Sequence, residues 1–221
     1  MRLDWLDRGS MNSLRSLVVQ PSTQTLDTSS IFHPIKIELL DDIIVDFKDC
    51  HVDSNAMAML VEQALELEES GSYHEAYEKF NEISELPSSL GFYFLGIMER
   101  HGIGIEVDTV LAFEHFQKAA KYAEREQNYA QLALILLELG ICRYYGWGVE
   151  KGKQVAVCYF QMAAQLGDPD ALLELAKCYL KGKGIEKNKF LAAQCYQLAE
   201  KHDRIIPGNS WIHKEKYTRR L

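Results

Sequence analysis

"GIGIEVDTVLAFEHFQKAA" (residues 102–120) is a phrase that the chain writes three times. It returns as "GWGVEKGKQVAVCYFQMAA" from Gly146 and as "GKGIEKNKFLAAQCYQLAE" from Gly182. Ala112, Phe116 and Ala119 recur as Ala156, Phe160 and Ala163, and again as Ala192, Tyr196 and Ala199. Steps of four and three put each trio on one face of an α-helix. Two small residues beside one aromatic form a socket and a plug. A single hairpin cannot bury such a face, whereas a stack of hairpins can.

Ahead of the glycines stand "LGIMERHG" (95–102), "LGICRYYG" (139–146) and "LAKCYLKG" (175–182). Each joins a Leu to a small residue, Gly96, Gly140 or Ala176, which lets a second helix approach closely. Gly102, Gly146 and Gly182 read as C-terminal helix stops, because glycine takes positive φ cheaply. Asp108 and Asn188 then occupy N-cap positions, where a side-chain oxygen accepts from unsatisfied backbone N–H groups, while Gly152 is the weaker cap of the middle copy. The spacing from Gly146 to Gly182 is 36 residues and from Gly102 to Gly146 is 44. The extra eight fall in "KYAEREQNYAQ" (121–131), which predicts extended helices or a longer loop. Upstream, "GSYHEAYEKFNEISELP" (71–87) repeats the four-then-three spacing with Ala76, Phe80 and Ile83, but its turn lacks the second glycine.

The three G-x-G phrases resemble the Sel1-like repeat, and the upstream unit resembles a tetratricopeptide repeat. The resemblance covers about residues 53–203. It implies an all-α fold, a right-handed α-solenoid of about four helical hairpins, one TPR-like and three Sel1-like. The Tyr usual in the first Sel1 helix stands at Tyr179 and is replaced by Glu99 and Arg143 in the other copies. The expected organisation is a disordered tail (1–30), an amphipathic capping or linear-motif segment (31–52), the solenoid (53–206) and a basic aromatic C-terminal tail (207–221).

The composition suits a soluble globular protein, with 47% apolar and 25% charged residues and a net charge of −8. No apolar run reaches the roughly 18 to 20 residues that a membrane helix needs. The N-terminus mixes Arg2, Arg8 and Arg15 with Asp4 and Asp7, so a secretory signal is not expected; a mitochondrial presequence starting at Met11 is the minor alternative to a cytoplasmic location. Between Ile37 and Leu86, 14 acids face Lys48 and Lys79, a local charge of −12. From Lys201 onward six Lys and Arg face Asp203 and Glu215, giving +4. Solvated faces explain both, and preference for oppositely charged partners is the sharper reading. The acidic half argues against nucleic acid as a partner. Cys50, Cys142, Cys158, Cys178 and Cys195 contain no CxxC and read as free thiols of a reducing compartment.

In the N-terminal part, "IFHPIKIELLDDIIVDF" (31–47) places Leu39, Leu40, Ile43, Ile44 and Phe47 on one helical face, although Ile35, Ile37 and Leu39 alternate like a strand. It reads either as a cover for the first hairpin or as an acidic amphipathic peptide that binds elsewhere. The C-terminal "IIPGNSWIHKEKY" (205–217) is similar to the tail of fungal Sel1-repeat proteins that regulate cell-wall synthesis or morphogenesis. There Trp211 either plugs the last hairpin or grips an acidic partner.

No Ser-His-Asp order, HExxH, P-loop or Rossmann fingerprint appears, and no histidine pair stands at metal-ligand spacing. Neither a cofactor nor a metal is therefore expected. The leading reading is a non-catalytic scaffold or adaptor whose inner groove holds a peptide or helix of another protein, as a regulatory subunit in signalling, morphogenesis or cell-wall synthesis. Its candidate contacts are Glu99, Arg100, Arg143, Tyr144 and Tyr179, with Trp147 projecting from a loop and Trp211 in the tail. The rival reading is an enzyme of the cysteine-rich Sel1 kind that hydrolyses a small amide, which requires regular disulfides. A third is a subunit docked on an acidic membrane surface through Lys214, Lys216, Arg219 and Arg220.

Overall fold

The computed structural model describes residues 54–202, 204 and 210–218. The segments expected as a tail (1–30) and as a capping or motif segment (31–52) lie outside these residues, as does Cys50. Among the described residues the chain is helical throughout, without strands. The elements are α1 (Ser54–Glu69), α2 (Tyr73–Ser84), α3 (Ser89–His101), α4 (Thr109–Arg125), α5 (Tyr129–Tyr145), α6 (Lys153–Gln165), α7 (Pro169–Lys181) and α8 (Lys189–Glu200). A 3-10 turn (Ser210–His213) and the short α9 (Glu215–Thr218) follow.

The extra eight residues of the 44-residue interval are accounted for by helix length. Both α4 and α5 have 17 residues, whereas α6 and α7 have 13 each, so each helix gains 17 − 13 = 4. The connection between α4 and α5 stays short.

Two compact units divide at residues 131 and 132. In the first, α1 to α4 form two hairpins and α3 packs against both α2 and α4. Ala76, Phe80 and Ile83 of α2 are buried, as are Ala112, Phe116 and Ala119 of α4. The Phe80 and Phe94 rings stack at 4.5 Å, so the plug of the upstream unit meets an aromatic of the next hairpin. Gly96 shows why a small residue follows the Leu: a β-carbon there would lie 2.7 Å from the Phe116 ring, inside van der Waals contact. A β-carbon at Gly104 would run into the backbone of Tyr73, the first residue of α2. The second glycine of the pair therefore permits a close approach between a loop and the neighbouring hairpin, beyond turning the chain.

The second unit repeats these devices. Ala156, Phe160 and Ala163 of α6 and Ala192, Tyr196 and Ala199 of α8 are buried. A β-carbon at Gly140 would lie 2.6 Å from the Phe160 ring, and one at Gly184 would collide with the backbone of Lys153 at the start of α6. The caps behave as their side chains dictate. Asp108 accepts from the N–H groups of Val110 and Leu111, and Asn188 from those of Phe190 and Leu191, while Gly152 has no side-chain bond to offer. Asp168 caps α7 by accepting from Ala171 N at 2.8 Å.

Candidate partner-binding surfaces

One backbone device positions the candidate residues in all three copies. The N–H of the capping residue returns to a carbonyl of the preceding helix: Asp108 to Glu99 at 2.9 Å, Gly152 to Arg143 at 2.8 Å, and Asn188 to Tyr179 at 3.0 Å. Glu99, Arg143 and Tyr179 are thus equivalent positions whose main chain anchors the loop, leaving the side chain to vary.

In the first unit that side chain turns inward. Glu99 is fully buried and binds helices on both sides, accepting from the Tyr77 hydroxyl at 3.2 Å and meeting His115 Nδ1 at 2.7 Å. Burial, then the Glu99 charge, push the Tyr77 hydroxyl up to about 12. Arg100 is only 5% exposed; its guanidinium lies 5.3 Å from the centre of the Phe116 ring and 3.2 Å from His101 Nε2. Burial, then the Arg100 charge, push His101 down to about 4, so at neutral pH its ring is uncharged and accepts from the guanidinium. The sequence pointed to Glu99 and Arg100 as surface contacts; the structure places their charges inside, knitting α2, α3 and α4 together. Tyr77 and His115, which complete this network, had no signal of their own in the sequence beyond a histidine near the turn.

In the second unit the equivalent region opens to solvent. Arg143 and Tyr144 are half-buried, and Arg143 Nη1 reaches the Glu150 carbonyl at 3.5 Å. Tyr144 sits edge-on to Tyr145 at 5.0 Å and 6.4 Å from Phe160, and burial raises its hydroxyl pKa above the ordinary tyrosine value. Tyr145 is 51% exposed and stacks on Trp147 at 4.9 Å with an interplanar angle of 18°. Sequence reasoning passed over Tyr145, although its place directly before the helix-stopping glycine exposes it. Tyr179 lies 4% exposed, and its hydroxyl is pushed up to about 12 by burial first. The structure therefore brings Arg143, Tyr144 and Trp147 together at one end of α5 and leaves Tyr179 in the interior.

At the C-terminal end, Trp211 is half-buried, edge-on to both Tyr196 at 6.3 Å and Tyr217 at 5.4 Å. The residue that plugs α8 is its neighbour Ile212, which is fully buried and whose carbonyl accepts from Gln197 Nε2 at 2.6 Å. None of the described cysteines, Cys142, Cys158, Cys178 and Cys195, is in a disulfide.

Helical hairpins joined by a repeated glycine loop, with an alanine–aromatic face between them, define an α-solenoid repeat protein. The Sel1 repeat model matches residues 93–121, 136–168 and 169–203, so the chain carries three Sel1 repeats. Among solved structures, a Sel1 repeat protein from Oxalobacter formigenes is 23% identical, aligned over 67% of this chain and 74% of its own, with a TM-score of 0.33. A second, c5321, a protective antigen present in uropathogenic Escherichia coli strains and displaying an SLR fold, is 16% identical over 68% of this chain, with a TM-score of 0.33. The chain covers 39% of that protein's length. No curated protein matches the chain. Sel1 repeats mediate protein–protein interaction and typically serve as non-catalytic scaffolds. No described helix is long and apolar enough to cross a membrane.

Proposed function

We propose that this protein is a non-catalytic adaptor that holds a peptide or helix of a partner protein against the end of α5 and the loop that follows. One observation carries the reading: Arg143, Tyr144, Tyr145 and Trp147 gather three rings and a guanidinium, partly exposed, on a backbone pinned by the bond from Gly152 N to Arg143 O. Aromatic residues and arginine on a rigid support are what binding hot spots are made of. The role is regulatory, in signalling, morphogenesis or cell-wall synthesis, a reading supported by the similarity of the 205–217 segment to fungal regulatory tails. The location is a reducing compartment, the cytoplasm.

The chemistry of the thiols weighs against the amide-hydrolase alternative. Burial first, then the Glu174 charge, push the Cys178 thiol up to about 11, and burial pushes the Cys195 thiol up further. A thiol so placed is almost wholly protonated at neutral pH and is a poor nucleophile.

Affinity capture from a reducing extract tests the adaptor reading, using the full chain and its Arg143→Ala/Tyr144→Ala variant, with far-UV circular dichroism as the check on folding. A partner held by the parent chain and lost by the equally folded variant is the expected result. Retention of every partner by the variant would refute the assignment of these residues.

A further inference from the structure

The loops of the second unit carry a feature that the repeat template does not require. Residues 146–153 and 181–189 contain Lys151, Lys153, Lys181, Lys183, Lys187 and Lys189 against Glu150 and Glu186, which is 6 − 2 = +4. The equivalent first loop, residues 101–109, has no lysine and holds Glu106 and Asp108. Lys151 and Lys187 share one template place, which is Val107 in the first copy; Lys153 and Lys189 share another, which is Thr109.

The fold gathers these lysines beside the exposed rings. Gly146 lies between Tyr145 and Trp147, and a β-carbon on it would lie 3.3 Å from that of Lys151. The next loop is seated on α6 so closely that Gly184 abuts the backbone of Lys153, and Lys187 packs over Gly182 in the same way that Lys151 packs over Gly146. Five of the six lysines are exposed and Lys153 is half-buried. None of the six makes an ion pair with a described residue, whereas Lys79, Lys121 and Lys177 each do. The result is one edge of loops with unpaired ammonium groups next to a stacked Tyr145–Trp147 pair.

We infer that this loop edge of the second unit docks an acidic peptide segment of a partner protein, its carboxylates on the lysines and an apolar or aromatic anchor on Tyr145 and Trp147. The inference rests on the adaptor reading and adds the chemistry of the partner. Complementary charge steers the encounter and orients the peptide, while the rings supply the apolar contact that holds it. Glu150 and Glu186 within the edge, and the net charge of −8 on the whole chain, favour a peptide of mixed character over a polyphosphate. An anionic bilayer is the poorer match, because the rings stack on each other and form no apolar helical face to insert.

The test uses the full chain and a fluorescein-labelled 14-residue peptide of alternating Asp and Glu interrupted by two Leu and one Phe, read by fluorescence anisotropy. The controls are the same peptide with Asn and Gln for its acids, a 14-mer of deoxythymidine, and phosphatidylserine vesicles. The acidic peptide should bind, weaken on raising NaCl from about 50 to about 300 mM, and lose about tenfold or more in affinity in Lys183→Glu/Lys187→Glu. Tyr145→Ser/Trp147→Ser should weaken it as well, with circular dichroism unchanged in both variants. Binding that ignores the charge reversal, or binding of the oligonucleotide or vesicles in place of the peptide, would overturn the inference. So would a charge-dependent dimer in sedimentation, which would make a second copy the occupant. If Arg143→Ala/Tyr144→Ala abolishes partner capture while Lys183→Glu/Lys187→Glu leaves it intact, the adaptor reading stands and the acidic-peptide inference fails.

Discussion

Replacing Gly96 by alanine measures how tightly the repeats are stacked. In an ordinary solvated helix this change stabilises by about 1 kcal/mol, because glycine loses more backbone entropy on folding. Here the new β-carbon would lie 2.7 and 2.8 Å from two carbons of the Phe116 ring, against an ordinary contact of 3.4 Å or more. The ring has nowhere to retreat: it is fully buried, Ala112 and Ala119 flank it on the same helix face, and Arg100 covers it at 5.3 Å. Overpacking of this kind costs about 1–3 kcal/mol. The net expectation is a loss of about 1 kcal/mol, read as a lower urea midpoint at unchanged m value. Shortening the ring relieves the clash, so in a double-mutant cycle Gly96→Ala and Phe116→Leu should couple favourably by about 1 kcal/mol. Gly140→Ala against Phe160, at 2.6 Å, should behave alike in the second unit. The third copy carries a buried Ala176 at the same template position, so the cost belongs to the local helix spacing, not to alanine. A stabilised Gly96→Ala variant, or strict additivity in the cycle, would refute the socket-and-plug reasoning.

Three further outcomes follow from the same geometry. Gly152→Asp should stabilise the second unit by about 0.5–1 kcal/mol, since its φ of −140° suits any residue, a β-carbon there would meet nothing nearer than the Val155 side chain at 3.7 Å and the cap is unfilled, and thermal melts check it. The buried Asp168 carboxyl is pushed up to about 7 by burial first and by the Asp170 charge, above its ordinary 3.8. Its contribution to stability is therefore fully present below about pH 4 and lost as pH rises through about 7, with a slope of at most about 1.4 kcal/mol per pH unit. Urea titrations from pH 4 to 8 should show that slope flattened in Asp168→Asn, which keeps the acceptor for Ala171 N. Finally, Glu99→Ala should destabilise by about 1–3 kcal/mol, because it strips the half-buried Tyr77 and His115 of the buried carboxylate that they share, whereas Glu99→Gln should keep more of the stability; equal melting of the two variants would contradict the network.

The sequence by itself determined the repeat. The spacing of Ala112, Phe116 and Ala119, and of their two later copies, required helices that bury an alanine–aromatic face. Gly102, Asp108 and Asn188 marked ends and caps because those jobs depend on one residue's own backbone and side chain. Even the eight-residue excess around 121–131 was legible as an insertion, although only the structure divided it equally between α4 and α5. Residues whose role depends on distant neighbours were not legible. Glu99 reads as a surface charge until Tyr77 and His115, from two other helices, are seen to enclose it. Trp211 is the more conspicuous plug in the sequence, yet Ile212 lies beneath it, because the turn at Ser210–His213 decides which side chain faces α8. The lysines of the second and third loops look like scattered solvated charges, and become one edge only when the 182–188 loop is seated on Lys153. Periodicity along a helix is written in the chain, whereas burial, charge pairing and adjacency between loops are properties of helices brought together in space.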